Sequence, residues 1–282
     1  VLAEAGFDPN LVTLAVDSPE APLGMRLVKH PGTAIVDFTG SARFGAWVEQ
    51  NAYPALSYTE TSGVNTVVLE SMDDLESVAR SLATTMNLFS AQMCTSPQNI
   101  YVPRGGVTVG GRRVSVDEVC DAIVAAFRAV VAEPRRAASI LATVQSPATL
   151  DLVGRMRDSG RRRGAVLLDS TPYAHPDFPA ARTATPLLLR VAPAARDLYC
   201  EERFGPIGFV IETDDAASAL ESAATDVRAA GGITAFVYSQ RDDFLAAAEA
   251  AYATAGAQLT CNLTGAMPLN FAASYSDYHV TG

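Results

Sequence analysis

Cysteine is scarce in this chain: there are four in 282 residues, with no Cys-x-x-Cys pair and no regular spacing. That pattern argues against a disulfide scaffold or a zinc site. Positive charge is in deficit, 21 Lys and Arg against 31 Asp and Glu, for a net charge of −10. A chain of that sign is not expected to take nucleic acid or an acidic membrane surface as its main partner. Long apolar runs are missing too. None approaches the roughly 20 residues that span a bilayer, and the opening residues do not read as a signal peptide. His30, His175 and His279 have no neighbouring ligand pattern and read as surface or loop residues. No segment repeats another. The expectation is a protein of a reducing compartment, located in the cytoplasm.

What is present is a large apolar fraction, 49% of residues, enough for one large or two ordinary domains. Strand-like runs alternate with helical ones. "TAIVDFTGS" (33–41) predicts a strand and turn, followed by a short helix around Phe44–Gln50. "VNTVVLE" (64–70) is β-rich, and a helix from about Asp73 carries Leu75, Val78, Leu82, Met86 and Phe89 on one stripe. "SVDE" at Ser115 fits a capping box for a helix reaching Ala132. The glycines of "RGGVTVGGRR" predict a hairpin before it. "GAVLLD" and "ATPLLLRVA" look like strands, "IGFVIE" to "ITAFVYS" like a βαβ unit, and "DDFLAAAEAAYATAG" to "AQLTCNL" like a repeat of that order. Strands separated by helices of 10–15 residues indicate an α/β fold with a parallel sheet. The arginine-rich "RMRDSGRRRG" (155–164) reads as a solvated loop or an anion contact.

Cys94 follows the predicted helix, in a loop restricted by Pro97. By position alone it is either a packing residue, the commoner fate of a free cysteine, or a nucleophile, which requires ionisation or a base to take its proton. "YTETSGVN" (58–65) puts Glu60 before a Gly and a strand. "FTGSARFG" (38–45) opens a helix after Gly-Ser, where free N–H groups suit a phosphate. "EERFGPIGF" (201–209) places two carboxylates, an aromatic and a Gly-Pro turn before a strand. Taken singly, each has an ordinary reading: a solvated Glu, a βα turn, an edge loop. Cys120, at helical spacing with Val116 and Ile123, reads as packing; Cys200 is discouraged from ionising by Glu201; Cys261 reads as buried in a late strand.

In this order, the motifs resemble those of the aldehyde dehydrogenase superfamily. Its Gly-Ser-x-x-x-Gly is matched by Gly40, Ser41 and Gly45, and its general-base glutamate by Glu60. Its nucleophile segment is matched by "AQMCTSPQ", with Cys94 34 positions after Glu60, and its Glu-x-Phe-Gly-Pro signature by Glu202, Phe204, Gly205 and Pro206. "CNLTGA" resembles its Asn-containing strand before the substrate channel. The resemblance covers essentially the whole chain. It implies an α/β, aldehyde-dehydrogenase-like fold: a parallel-sheet catalytic domain (64–265), the C-terminal part of a Rossmann-like nucleotide-binding domain (1–63), and a segment near the substrate channel or oligomer interface (266–282). It also implies oxidation of a small-molecule aldehyde with NAD or NADP. Cys94 would be the nucleophile and Glu60 the base; Gly40, Ser41, Gly45, Glu202 and Phe204 would bind cofactor, and the enzyme would be a homo-oligomer, a dimer or tetramer.

"YTETSGVNTVVLESMDD" and "QMCTSPQNIYVP" look most like the branch found in phenylacetate catabolism, where a related domain oxidises a ring-opened semialdehyde carrying a CoA thioester. The chain departs from the family pattern in "TSG" after the glutamate, in "NFAASYSDYHVTG" near the end, and in about a dozen extra residues between Cys94 and Glu202. The family's oxyanion asparagine and ribose-binding lysine belong upstream of Val1, so the chain reads as the C-terminal portion of a larger enzyme. Two other readings stay open: a catalytically silent structural or partner-binding fragment, and a CoA-acylating member of the family.

Overall fold

The inner strands of the larger sheet are apolar at consecutive positions, which is what a sheet covered by helices on both faces demands. The computed structural model describes residues 1–18, 20–61 and 63–265. The chain divides between Ser62 and Gly63 into two compact units.

The first unit contains α1 (Gly24–Val28), β1 (Ile35–Gly40), α2 (Ala42–Asn51) and β2 (Leu56–Thr61). β1 and β2 form a parallel pair in which Thr39 faces Glu60 and Gly40 faces Thr61. Ser41 caps α2, its hydroxyl accepting from the Phe44 N–H, as expected for Ser at an N-cap. A small core of Val28, Val48 and Ala52 is closed by Val36, Phe38, Phe44 and Trp47.

The second unit begins with β3 (Asn65–Leu69), β4 (Ser71–Met72) and α3 (Leu75–Thr85), followed by β5 (Pro97–Pro103) and the hairpin β6 (Val107–Val109) and β7 (Arg112–Val114). α4 (Val116–Val131), α5 (Pro134–Leu141) and α6 (Pro147–Arg163) come next, then β8 (Gly164–Leu168), β9 (Leu187–Val191), α7 (Arg196–Tyr199) and β10 (Ile207–Thr213). It ends with α8 (Ala216–Ala230), β11 (Thr234–Tyr238), α9 (Asp242–Ala255) and β12 (Gln258–Cys261). The main sheet runs β12-β11-β3-β5-β10-β9-β8, with β4, β6 and β7 in a small sheet of their own. Alternate residues point to opposite cores. Val67, Leu69, Ile100, Val102 and Val210 pack against Val78 and Leu82 of α3 and Ile123 and Phe127 of α4. Val68, Tyr101, Phe209 and Ile211 pack against Val153 of α6, Ala223 and Val227 of α8 and Tyr252 of α9.

The expected hairpin is present, turning at Gly110 and Gly111 with φ of 53° and 81°, the conformation that favours Asn-Gly or Gly-Gly between antiparallel strands. The Ser115–Glu118 capping box is also present. Other expectations need correction. β8 runs antiparallel to β9, because the 169–186 connection holds no crossover helix and so cannot return the chain in parallel. The expected βαβ units are present: β10 and β11 run parallel through α8, with β5 and β3 between them, and β11 and β12 pair directly in parallel. The arginine-rich run is the last part of α6, not a loop. Cationic side chains are favoured at that end of a helix, and Arg161 and Arg163 pair with Asp169 and Asp197. The α3 stripe ends at Met86. Phe89 leaves it, 45% exposed and with φ of 53°. Cys261 lies in the edge strand β12 and is exposed. The expected 266–282 segment lies outside the described residues.

Two glycines meet back to back where β3 is entered. A Cβ on Gly63 would lie 2.4 Å from the Gly231 carbonyl oxygen, and one on Gly232 would lie 2.2 Å from that of Val64. Both are under any real Cβ contact, so neither position admits a side chain without moving backbone.

Candidate active site

Within the first unit, the carboxyl ends of β1 and β2 bring three of the expected residues to one edge. Glu60 sits in β2 opposite Thr39, one position before the Gly40–Thr61 pair, and Ser41 starts α2 immediately beyond. Glu60 is half-buried, and Gly40 and Ser41 are exposed. Gly45 is different: it is buried on α2, and a Cβ there would lie 2.3 Å from the Thr61 Cγ2. Its lack of a side chain lets the helix press onto β2. Strand ends followed by a helix N-terminus, in a parallel α/β arrangement, are where dinucleotide phosphates are held, so this edge fits a pyrophosphate.

In the second unit the chain leaves α3 through Phe89, Ser90 and Ala91, with φ of 53°, 56° and 51°. Three consecutive left-handed residues, none of them Gly or Asn, are costly, about 1–2 kcal/mol each. Side chains hold the turn in place. The Ser90 hydroxyl donates to the Leu141 carbonyl (2.7 Å), and the Gln92 amide donates to the Phe89 and Thr143 carbonyls (2.9 Å each) while accepting from Gln145 N–H. The turn delivers residues 92–96 to the mouth of β5, and Cys94 is half-buried there.

Two buried amides then tie this loop to the rest of the sheet. Asn65, 2% exposed, donates from Nδ2 to the carbonyls of Cys94 (2.6 Å) and Ser96 (3.1 Å), and its Oδ1 accepts from the N–H groups of Ile233 and Thr234. The Thr234 hydroxyl donates to the Thr95 carbonyl at 3.0 Å. Gln98 donates to the Tyr199 and Glu201 carbonyls and accepts from the Arg203 N–H at 2.6 Å. Glu202 is thus flanked on both sides by residues whose backbone Gln98 holds. Arg203 turns inward to donate to the Leu198 and Asp197 carbonyls. Ala91, Met93, Ser96 and Pro97 line one cleft together with Glu202, Phe204 and Gly205. The second unit therefore places the Cys94 loop beside two of the residues expected to meet a cofactor.

Burial pushes the Glu202 carboxyl up to about 7, against the pull of a Gly63 N–H that donates to it. Phe204 leaves 41% of its surface open. A buried acceptor beside an open aromatic ring suits a ribose hydroxyl next to a flat heteroaromatic ring, so these residues fit a nicotinamide nucleotide.

The other cysteines are poor nucleophiles or unsupported. Burial raises the Cys120 thiol to about 11 and that of Cys200 to about 12. For Cys200 the carboxylate that adds to burial is Asp226, rather than the Glu201 named from sequence. Asp226 is itself buried, accepting from Tyr101 at 2.5 Å and pairing with Arg196. No group of three or more His, Cys, Asp and Glu suited to a metal ion occurs among the described residues, and no described helix is long and apolar enough to cross a membrane. Sequence reasoning passed over Asn65, Gln98 and Thr234. The available signal was a pair of amide-bearing positions, "VNT" and "PQN", at the mouths of strands otherwise apolar.

Comparison with known proteins agrees with the fold. A model of the aldehyde dehydrogenase family matches residues 1–268. A NAD-dependent aldehyde dehydrogenase from Burkholderia multivorans is 42% identical, with a TM-score of 0.91 over 100% of this chain and 50% of its own. Two 1-pyrroline-5-carboxylate dehydrogenases are more distant. That of Bacillus pumilus is 24% identical over 94% of this chain and 50% of its own length. The 1-pyrroline-5-carboxylate dehydrogenase 2 of Bacillus subtilis is 27% identical over 79% and 42%. The chain spans about half the length, or less, of the curated relatives it matches. With the motif order, the α/β fold and a family match over nearly every residue in agreement, this chain belongs to the aldehyde dehydrogenase family.

Proposed function

We propose that this chain carries the nucleophile and base of a NAD(P)-dependent aldehyde dehydrogenase that releases a free carboxylic acid. The observation that carries the reading is the shared cleft of the Cys94 loop with Glu202 and Phe204, held together through Gln98. The Cys94 thiolate adds to the aldehyde carbon, forming a carbon–sulfur bond and a thiohemiacetal. The Cys94 backbone N–H donates to the oxygen that gains charge. A bound nicotinamide cofactor supplies the acceptor for the hydride whose loss leaves a thioester on Cys94. Glu60 then takes a proton from water, whose oxygen attacks the thioester carbon; the carbon–sulfur bond breaks, releasing the acid and restoring the Cys94 thiolate. Gly40 and Ser41 hold the pyrophosphate, and Gly45 serves by letting α2 sit close to β2. Glu202 accepts from the nicotinamide ribose, and Phe204 packs beside the ring.

The 42% identical Burkholderia enzyme is NAD-dependent by name, which supports NAD for this chain. The stretches around Glu60 and Cys94 support a semialdehyde of phenylacetate catabolism as the substrate. Cys94→Ala in the intact enzyme should abolish aldehyde oxidation while leaving cofactor affinity within about twofold. Persistent turnover would refute the assignment.

A further inference from the structure

Three consecutive carbonyl groups of the nucleophile loop are held by side chains from other strands. The register between β3 and β5 slips between Asn65 and Thr66, so that Asn65 faces Pro97 while Thr66 faces Asn99. The irregularity interrupts the backbone ladder at the mouth of β5, and the Asn65 amide takes the ladder's place, bonding the carbonyls of Cys94 and Ser96 on one side. On its other side it takes the N–H groups of Ile233 and Thr234 at the start of β11. Thr234 adds its hydroxyl to the carbonyl of Thr95 between them. Only one orientation of the amide satisfies all four of its bonds, because carbonyls need its nitrogen and N–H groups its oxygen. The side chain is buried and its hydrogen-bonding capacity is used in full, so the peptide planes on either side of Thr95 have little freedom to rotate.

We propose that Asn65 is a positioning residue for Cys94, fixing the peptide that follows the nucleophile and with it the direction of the cysteine side chain and N–H. This rests on the reading of Cys94 as the nucleophile. A displacement of about 1 Å at a reacting group costs on the order of 10²-fold in rate. A bond network serving stability alone has no such signature.

The test compares Asn65→Ala, which removes both halves of the bridge, with Asn65→Asp, which keeps an acceptor for Ile233 and Thr234 but offers no donor to the Cys94 loop. Each variant is assayed in the intact enzyme for kcat, cofactor KM and thermal midpoint. Cys94 alkylation by iodoacetamide is followed across pH by peptide mass spectrometry, with Cys261, exposed on β12, as the internal standard. The expected result is a fall in kcat of about 100-fold in both variants, with cofactor KM within about threefold and an altered pH profile of Cys94 alkylation relative to Cys261. Folded variants with kcat within twofold of the parent and an unchanged alkylation profile would overturn the proposal. Should neither variant fold, Asn65→Ser, which keeps one donor, is judged by the same criteria. If Cys94→Ala is inactive while the Asn65 variants are normal, only the positioning role fails. If Cys94→Ala still turns over, the functional reading fails with it.

Discussion

Replacing Glu202 by glutamine should stabilise the protein at alkaline pH and leave it unchanged in acid. The carboxyl is lifted from its ordinary value of 4.5 to about 7 by burial, so the folded state holds the proton more tightly than the unfolded chain. The stability associated with that proton is fully present below about pH 4.5 and is lost as pH rises through about 7. A difference of about 2.5 pH units, at about 1.36 kcal/mol each, sets a ceiling of about 3.4 kcal/mol. Glu202 is only partly buried, and solvent screening reduces the expected effect to about 1–2 kcal/mol. Glutamine has nearly the same shape, carries no charge at any pH, and keeps an acceptor for the Gly63 N–H. Urea unfolding of the two proteins at pH 4.5 and pH 8.5 measures the effect. Other acidic groups also titrate, but they are common to both proteins and cancel in the comparison. The expected result is near-equal stability at pH 4.5 and a glutamine variant more stable by about 1–2 kcal/mol at pH 8.5. A constant difference between the two proteins across that range would refute the claim that Glu202 is buried at a cost to its charge.

Glu60→Gln in the intact enzyme should leave the acylation step and stall hydrolysis, so stopped-flow absorbance should show one burst of reduced cofactor per active site without sustained turnover. Steady turnover with no burst would remove Glu60 from the role of base. Ser90→Ala removes the hydroxyl that donates to the buried Leu141 carbonyl. It should lower unfolding free energy by about 1–2 kcal/mol, read from the denaturation midpoint, and an unchanged midpoint would show that the left-handed turn does not depend on that bond.

Much of the frame follows from local chemistry. The capping box at Ser115 and Glu118, the Gly-Gly hairpin and the alternation of β-branched runs with alanine-rich helices are each specified within a few residues. The ordered motifs around Gly40, Glu60, Cys94 and Glu202 were legible for the same reason. What escaped is non-local or set by competing terms. The helical period of Leu75, Val78, Leu82 and Met86 continues arithmetically to Phe89, yet the backbone there turns left-handed, held by bonds to residues 141–145 that no local pattern announces. The arginines of 155–163 suggest solvent by composition, and all but the half-buried Arg157 are exposed, but on a helix whose C-terminal end favours them. A cysteine in a late strand suggests burial for Cys261, and the place of β12 at the sheet edge exposes it. Asn65 acquires its bonds from residues 29 and 168 positions away, and no spacing rule anticipates such a bridge.

The opposed glycines at the entrance to β3 bear on how mutational tolerance is interpreted in this family member. Gly63 stands three residues from Glu60, the proposed base, and two from Asn65, yet its intolerance arises from a carbonyl 2.4 Å from where a methyl would go. A library scored only for soluble expression would reject substitutions at Gly63 and Gly232, whereas one scored for turnover adds the residues that do chemistry. Subtracting the first map from the second separates framework from reactivity along a stretch where the two are interleaved residue by residue.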